Sequence, residues 1–188
     1  MKLKDKILPA LVLMIICVVI SGLVIVVYNL TYVDNTGVMT DALKDGCLEI
    51  FNDKKAEFEI ILKESDGEEK VPLSYEGVEQ IIVCKEKNLC VFEIVEDGYA
   101  KGGLHVLVGI NADGAVEGIS FVEIKETKGV GTKVEDEKWL ENFKGATDKN
   151  AVSEVDTITG ATFSSKGVKS AVATALKTYS EHKEEIFS

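Results

Sequence analysis

The apolar positions of this chain follow several different rhythms in succession. From Ile7 to Tyr28 no charged residue interrupts a run made mostly of Ile, Leu, Val and Met. At about 1.5 Å rise per residue, such a run is long enough to cross a bilayer core of roughly 30 Å. A membrane-spanning helix is therefore predicted there, with Pro9 in its first turn, where a missing N–H is tolerated. The run continues through Val26 and Val27 into Tyr28, Asn29 and Leu30 without a small-residue cleavage site, and Ile16 precedes Cys17. A retained anchor is expected, in preference to a cleaved signal or a lipoprotein signal. Beyond it, Ala42, Leu43, Cys47, Leu48 and Phe51 recur at helical spacing and predict an amphipathic helix over 40–51. Phe58, Ile60 and Leu62 alternate with charges, which predicts a strand over 56–62, followed by a charged turn at Ser65–Lys70.

The centre of the chain reads as strands: Val78–Cys84, Leu89–Val95, Leu104–Ile110 and Val116–Ile124. Asp97-Gly98 and Asn111-Ala112-Asp113-Gly114 are turn signals between them. A glycine-containing loop then occupies Glu126–Lys133, and Asp136–Phe143 reads as a short helix bearing Trp139, Leu140 and Phe143. Gly145–Ser153 is polar and reads as irregular. A second amphipathic helix is predicted from Ser164 to about Glu181, its apolar stripe being Val168, Ala171, Val172, Ala175, Leu176 and Tyr179. Strands joined by hairpins, then helices, indicate an α+β fold: a mainly antiparallel sheet with packed helices, preceded by one transmembrane helix. The expected organisation is a tail at 1–6, an anchor at 7–28 and a domain at 29–188.

Charge sets the expected orientation. Lys2, Lys4 and Lys6 precede the span, and Asp34 and Asp41 are the first charges after it. Positive flanks stay on the cytoplasmic side, so the domain is expected to be extracytoplasmic, on a single-pass protein of the inner membrane. The net charge of the chain is −11, and the first six residues hold three lysines and one aspartate, which leaves −13 for the remainder. A domain so acidic is repelled by nucleic-acid phosphates and by anionic headgroups, and neither is expected as a partner. Three cysteines lie outside the span, Cys47, Cys84 and Cys90, without a C-x-x-C spacing. Cys84 and Cys90 flank a turn at Lys85–Leu89 and, with a three-residue loop within it, would face each other across a hairpin, where a disulfide is sterically conceivable; two reduced, half-buried cysteines are the preferred reading. With two histidines, neither in a Cys/His cluster, no transition-metal site is expected.

The candidate chemistry lies in Asp156-Thr157-Ile158-Thr159-Gly160-Ala161-Thr162-Phe163-Ser164-Ser165. Gly160 permits a tight turn, and Ala161 adds little bulk. Thr162 stands at or beside the start of the last helix, where unpaired N–H groups near Ser164 and Ser165 and the positive dipole end suit a phosphate. A hydroxyl beside such a pocket can bind a phosphate or be esterified by it. Taken residue by residue, a plainer reading competes: Thr162 or Ser164 as an N-cap and Asp156 as a turn residue. Gly145-Ala146-Thr147 repeats the Gly-Ala-Thr triplet, but Lys144 and Glu141 occupy the places of Thr159 and Asp156, so Thr147 is rejected as an equivalent site.

The whole pattern, D-x-x-T-G-A-T, resembles the flavinylation signature of the FMN-binding domain family. That family includes the G subunit of Rnf-type electron-transport complexes and the C subunit of Na+-translocating NADH:quinone reductases. Further likeness lies in Gly98-Tyr99-Ala100-Lys101-Gly102-Gly103 before the strand Val106–Ile110, in Glu126-Thr127-Lys128-Gly129-Val130-Gly131, and in Trp139-Leu140 with Phe143-Lys144-Gly145. Lys128 stands where the family has proline. The resemblance covers roughly residues 98 to 176. It implies FMN held as a phosphoester on Thr162, installed by a separate flavin transferase with FAD as donor. Asp156, Thr159, Gly160 and Ala161 would belong to the recognised motif, with Ser164 and Ser165 at the phosphate. Glu126, Thr127, Gly129, Gly131 and Trp139 would lie against the flavin, with Tyr99 nearby.

The function so implied is that of an electron-carrier subunit in a membrane-bound, ion-translocating complex of the ferredoxin–NAD type, with the other subunits as partners. Two further readings are a stand-alone extracytoplasmic flavoprotein relay or reductase, and a cofactor-free interaction domain with Gly160–Thr162 as a structural cap.

Overall fold

The computed structural model describes residues 3–31, 37–52, 56–64 and 70–187. Lys2, Asp34 and Ser65–Glu69, which bear on the expected orientation and charged turn, lie outside these residues. The chain divides into two units between Asp34 and Asn35. The first is one helix, α1 (Leu3–Thr31), longer at both ends than the predicted Ile7–Tyr28. Its stretch Leu8–Thr31 has the length and apolarity to cross a membrane.

The second unit is built on a five-stranded antiparallel sheet in the order β1 (Glu59–Ile60), β4 (Gln80–Cys84), β5 (Leu89–Glu96), β6 (Leu104–Ile110), β7 (Val116–Ile124). The expected α+β class holds. The strand predicted over 56–62 is broken at Ile61, whose N–H donates to Ile81 O while its carbonyl accepts from Leu73 N. The chain thus passes from β1 into a separate pair, β2 (Leu62–Glu64) with β3 (Lys70–Pro72). The β6–β7 hairpin closes as read: Asn111 O accepts from Gly114 N, and Asn111 Oδ1 accepts from the N–H groups of Asp113 and Ala115.

Both faces of the sheet are covered, which explains why the central strands read as unbroken apolar runs. On one face, Val168, Ala171, Val172 and Ala175 of helix α5 (Thr162–Ile186) pack with Ile81, Val83, Phe92, Ile94, Val106 and Val108. On the other, α2 (Asp41–Phe51), capped by Thr40 Oγ1 accepting from Leu43 N, sets Leu43, Cys47 and Ile50 on Ile82, Val91 and Leu107. Each large apolar side chain so buried contributes about 1.5–3 kcal/mol. Gly109 and Gly118 pair across β6 and β7, and a Cβ on Gly109 would lie 2.3 Å from Ile50 Cγ2. The two glycines are the slot into which α2 settles.

Three expectations are corrected. The loop after Cys84 has four residues, Lys85–Asn88, so Cys84 pairs with Leu89 and Val83 with Cys90. Paired residues share a face and successive ones do not, so Cys84 and Cys90 point to opposite faces of the sheet and cannot bridge. All four cysteines are free, as the preferred reading has it, but Cys84 and Cys90 are fully buried, not half-buried. Burial, reinforced by the charge of Glu93, pushes the Cys47 thiol up to about 12. Second, Gly145–Ser153 is not wholly irregular: α4 (Lys149–Glu154) forms because Asp148 Oδ1 accepts from Asn150 N and Ala151 N. Third, α5 starts two residues before Ser164 and runs on past Glu181 to Ile186, which is buried beyond the predicted end of the apolar stripe. The short helix at 136–143 is present as α3 (Glu137–Leu140), capped by Asp136 and followed by a 3-10 turn at Glu141–Phe143.

Candidate functional site

The segment 155–162 is held by its main chain. Lys169 Nζ, from α5, donates to the carbonyls of Ser153 and Val155. Trp139 Nε1 donates to Asp156 O at 2.7 Å. Ser165 Oγ accepts from Ile158 N at 3.0 Å, and Ile158 O accepts from Ala161 N at 2.9 Å. Gly160, at φ +83°, makes the reversal into the helix. With the backbone tied inward, the side chains of Asp156, Thr157, Thr159 and Thr162 are exposed.

Thr162 is the first residue of α5, not its cap, and neither it nor Ser164 fills the capping role. The cap position belongs to Ala161, which offers no side-chain acceptor, and among the described residues no side chain caps the first turn of this 25-residue helix. The two serines are occupied elsewhere: Ser165 on Ile158, and Ser164 by donating its hydroxyl to Glu126 Oε2 at 2.7 Å. Both are buried. Thr162 keeps an exposed hydroxyl at the open end of a long helix dipole.

Glu126 gathers the neighbouring loops. Its carboxylate accepts from Tyr99 N at 3.2 Å and Ala100 N at 2.9 Å besides Ser164. It fits because three glycines surround it: a Cβ on Gly98, Gly103 or Gly131 would lie 2.5–2.7 Å from its carboxylate oxygens. The following turn closes through Thr127 O, which accepts from Val130 N and Gly131 N, and Gly129, at φ +75°, donates to Thr132 Oγ1. Residues 131–135 continue as a 3-10 helix, not as the open loop expected over 126–133. Lys133 Nζ reaches within 3.6 Å of where a Cβ of Gly160 would stand.

Tyr99, Glu126, Gly131 and Ser164 thus meet beside Thr162. Trp139 does not share that surface. It is 9% exposed, packs edge-on against Phe143, and braces Asp156 from behind. Lys125 is paired with Glu123 at 2.8 Å. Sequence reasoning missed Phe163 and Lys169. Phe163 is 63% exposed and meets the exposed ring of Tyr99 edge to face at 6.2 Å; an apolar residue on the polar side of the helix period was its available signal. Lys169 had none.

The second triplet differs. Gly145 N donates to Val116 O, and Val116 N donates to Ala146 O, so Gly145-Ala146 extends the edge of β7, and Thr147 leads into a helix of six residues.

These residues fit an esterified flavin phosphate. The first-turn N–H groups of α5 carry no side-chain cap. Of the three hydroxyls on that turn, those of Ser164 and Ser165 are engaged and buried, and that of Thr162 is exposed. Gly160 leaves the approach clear but for a lysine ammonium. The chain is 32% identical, over half of each sequence, to the G subunit of the ion-translocating oxidoreductase complex of Aliivibrio fischeri. It is 37% identical, over 44% of each, to the G subunit of the Na+-translocating ferredoxin:NAD+ oxidoreductase complex of Acetobacterium woodii. With the corresponding protein of Shewanella oneidensis the identity is 34% over half of each. The chain spans about half the length of these relatives. The model of the FMN-binding domain matches residues 98–177, a stretch that begins at the glycines around Glu126 and ends within α5. Over those residues the chain is similar to the FMN-binding domain family.

Proposed function

We propose that Thr162 carries FMN as a phosphoester and that the chain is an electron-carrier subunit of a membrane-bound, ion-translocating oxidoreductase complex of the ferredoxin–NAD type. The observation that carries this is the exposed Thr162 hydroxyl at the uncapped start of α5, within D-x-x-T-G-A-T. In the attachment step the Thr162 oxygen attacks the flavin-side phosphorus of FAD. The pyrophosphate bond breaks, AMP leaves with the bonding pair, and the hydroxyl proton passes to the transferase or to water. The new phosphodiester keeps one negative charge, which the first turn of α5 and the Lys133 ammonium favour. FMN supplies the electron transfer when bound; the chain's own residues place it and prevent its loss. Glu126, by tying loop 98–103 to the first turn of α5, keeps Tyr99 and Phe163 beside the attachment point.

The same reading takes α1 as the anchor, with its lysine-flanked end in the cytoplasm and the flavin domain outside. The names of the relatives, all of them G subunits, support membership of a multi-subunit complex.

Mass spectrometry of denatured full-length protein, made alongside a flavin transferase, tests the bond. The peptide containing Thr162 should gain the mass of FMN less water. Thr162→Val should abolish the gain, and Thr147→Val should leave it unchanged. Flavin lost entirely on unfolding of the wild-type protein would refute the assignment.

A further inference from the structure

Between α4 and α5 lies a groove of about 710 Å3. Its floor is apolar, formed by Val152, Ala173 and Leu176, and Lys149, Lys166 and Lys177 stand along its rim. Lys166, Ala173, Lys177 and Ser180 share one face of α5 with Thr162, since these spacings return to nearly the same angle at 3.6 residues per turn. The groove follows that face for about 21 Å, from one turn beyond the attachment residue towards the C-terminus.

The charge along this rim is opposite to that of the chain. The whole carries −11, yet the rim lysines have no carboxylate within ion-pair distance among the described residues. Asp148 is the one acidic residue in the lining, and its Oδ1 is engaged in capping α4. Lys169 also borders the groove but is committed to the carbonyls of Ser153 and Val155. An apolar floor between unpaired ammonium groups complements an amphipathic segment with carboxylates flanking its apolar stripe.

We propose that this groove is the docking surface for an acidic, amphipathic segment of another protein subunit, which it would hold alongside the attachment residue. A membrane surface is the poorer match: the site is concave, and the acidic remainder of the chain is repelled by anionic headgroups. The inference rests on the proposed function in one respect, the identity of the partner as a member of the same redox complex.

A photo-activated benzophenone side chain placed at Ala173 of the full-length protein, in its own membranes, tests the inference. The expected product is a cross-link to a peptide of another complex subunit, rich in Asp and Glu at helical spacing. The triple variant Lys149→Glu, Lys166→Glu, Lys177→Glu should lower that yield about tenfold or more, and added salt should lower it in the unaltered protein, as rim charges act mainly on encounter. Cross-links to lipid alone, cross-links confined to this chain, or a yield that ignores both charge reversal and salt would overturn the proposal. The flavin mass on the Thr162 peptide, measured in the same samples, reports separately on the attachment.

Discussion

Glu93 is a glutamate in an uncomfortable place. It lies half-buried on the α2 face of the sheet, and burial raises its carboxyl above the ordinary value of 4.5, a rise only partly countered by the hydrogen bond from Gln80 Nε2 and by the proximity of His105. A carboxyl whose folded value is raised binds its proton more tightly in the native state than in the unfolded chain. Its contribution to stability is therefore full below about 4.5 and is lost as pH rises through the raised value. Glu93→Gln keeps an acceptor for Gln80 and removes the titration. Relative to wild type the variant should gain in melting temperature as the buffer moves from pH 4 to pH 7, in parallel denaturation series. Glu126, by contrast, is surrounded by donors, and the likeness of the loop 126–131 to the FMN-binding family marks it in the sequence as a candidate site residue. The role of Lys169 was not legible: a lysine on a polar helix face reads as solvated, and only the folded chain brings the carbonyls of Ser153 and Val155 to it.

Among the elements, α5 shows a local preference giving way to packing. Gly167 lies in its interior, and replacing a helical glycine by alanine ordinarily stabilises by about 1 kcal/mol. Here a Cβ would stand 2.5 Å from Asp97 O and 2.6 Å from Leu104 Cδ1. The carbonyl belongs to the backbone and cannot swing aside, so Gly167→Ala should destabilise by roughly 1–3 kcal/mol in chemical denaturation. It should also displace the loop that begins at Asp97. The strands β6 and β7 could be read to the residue because Asn111–Gly114 marks the turn between them. By contrast, α4 was missed. Its six residues offer few apolar positions, Val152 being the buried one, and its one clear signal was the cap at Asp148. The geometry of the cysteines turned on a single residue, since four loop positions instead of three reverse which side of the sheet Cys90 faces.

At the scale of the whole molecule, the sheet separates two helices with different duties. The candidate site belongs to α5 on one face, while α2, on the other, follows the chain's entry into the second unit. That entry is fastened at Gly37, whose N–H donates to Gln80 Oε1 at 2.8 Å while Gln80 Nε2 donates to Glu93. Gln80 is 2% exposed, and removing its amide would leave both partners unsatisfied near the core. Gln80→Ala should therefore cost about 1–3 kcal/mol in equilibrium unfolding, while leaving the proposed flavin attachment at Thr162 unaffected in the folded fraction.

The fastening at Gly37 has a mechanical consequence. A tug arriving along the chain from the N-terminal side reaches the amide of Gln80 and is spread through β4, a strand buried along its whole length. It meets α5 only through the packing of Ile81 and Val83 on the opposite face of that strand. The chain's point of entry and the helix that begins at Thr162 thus bear on opposite faces of one sheet.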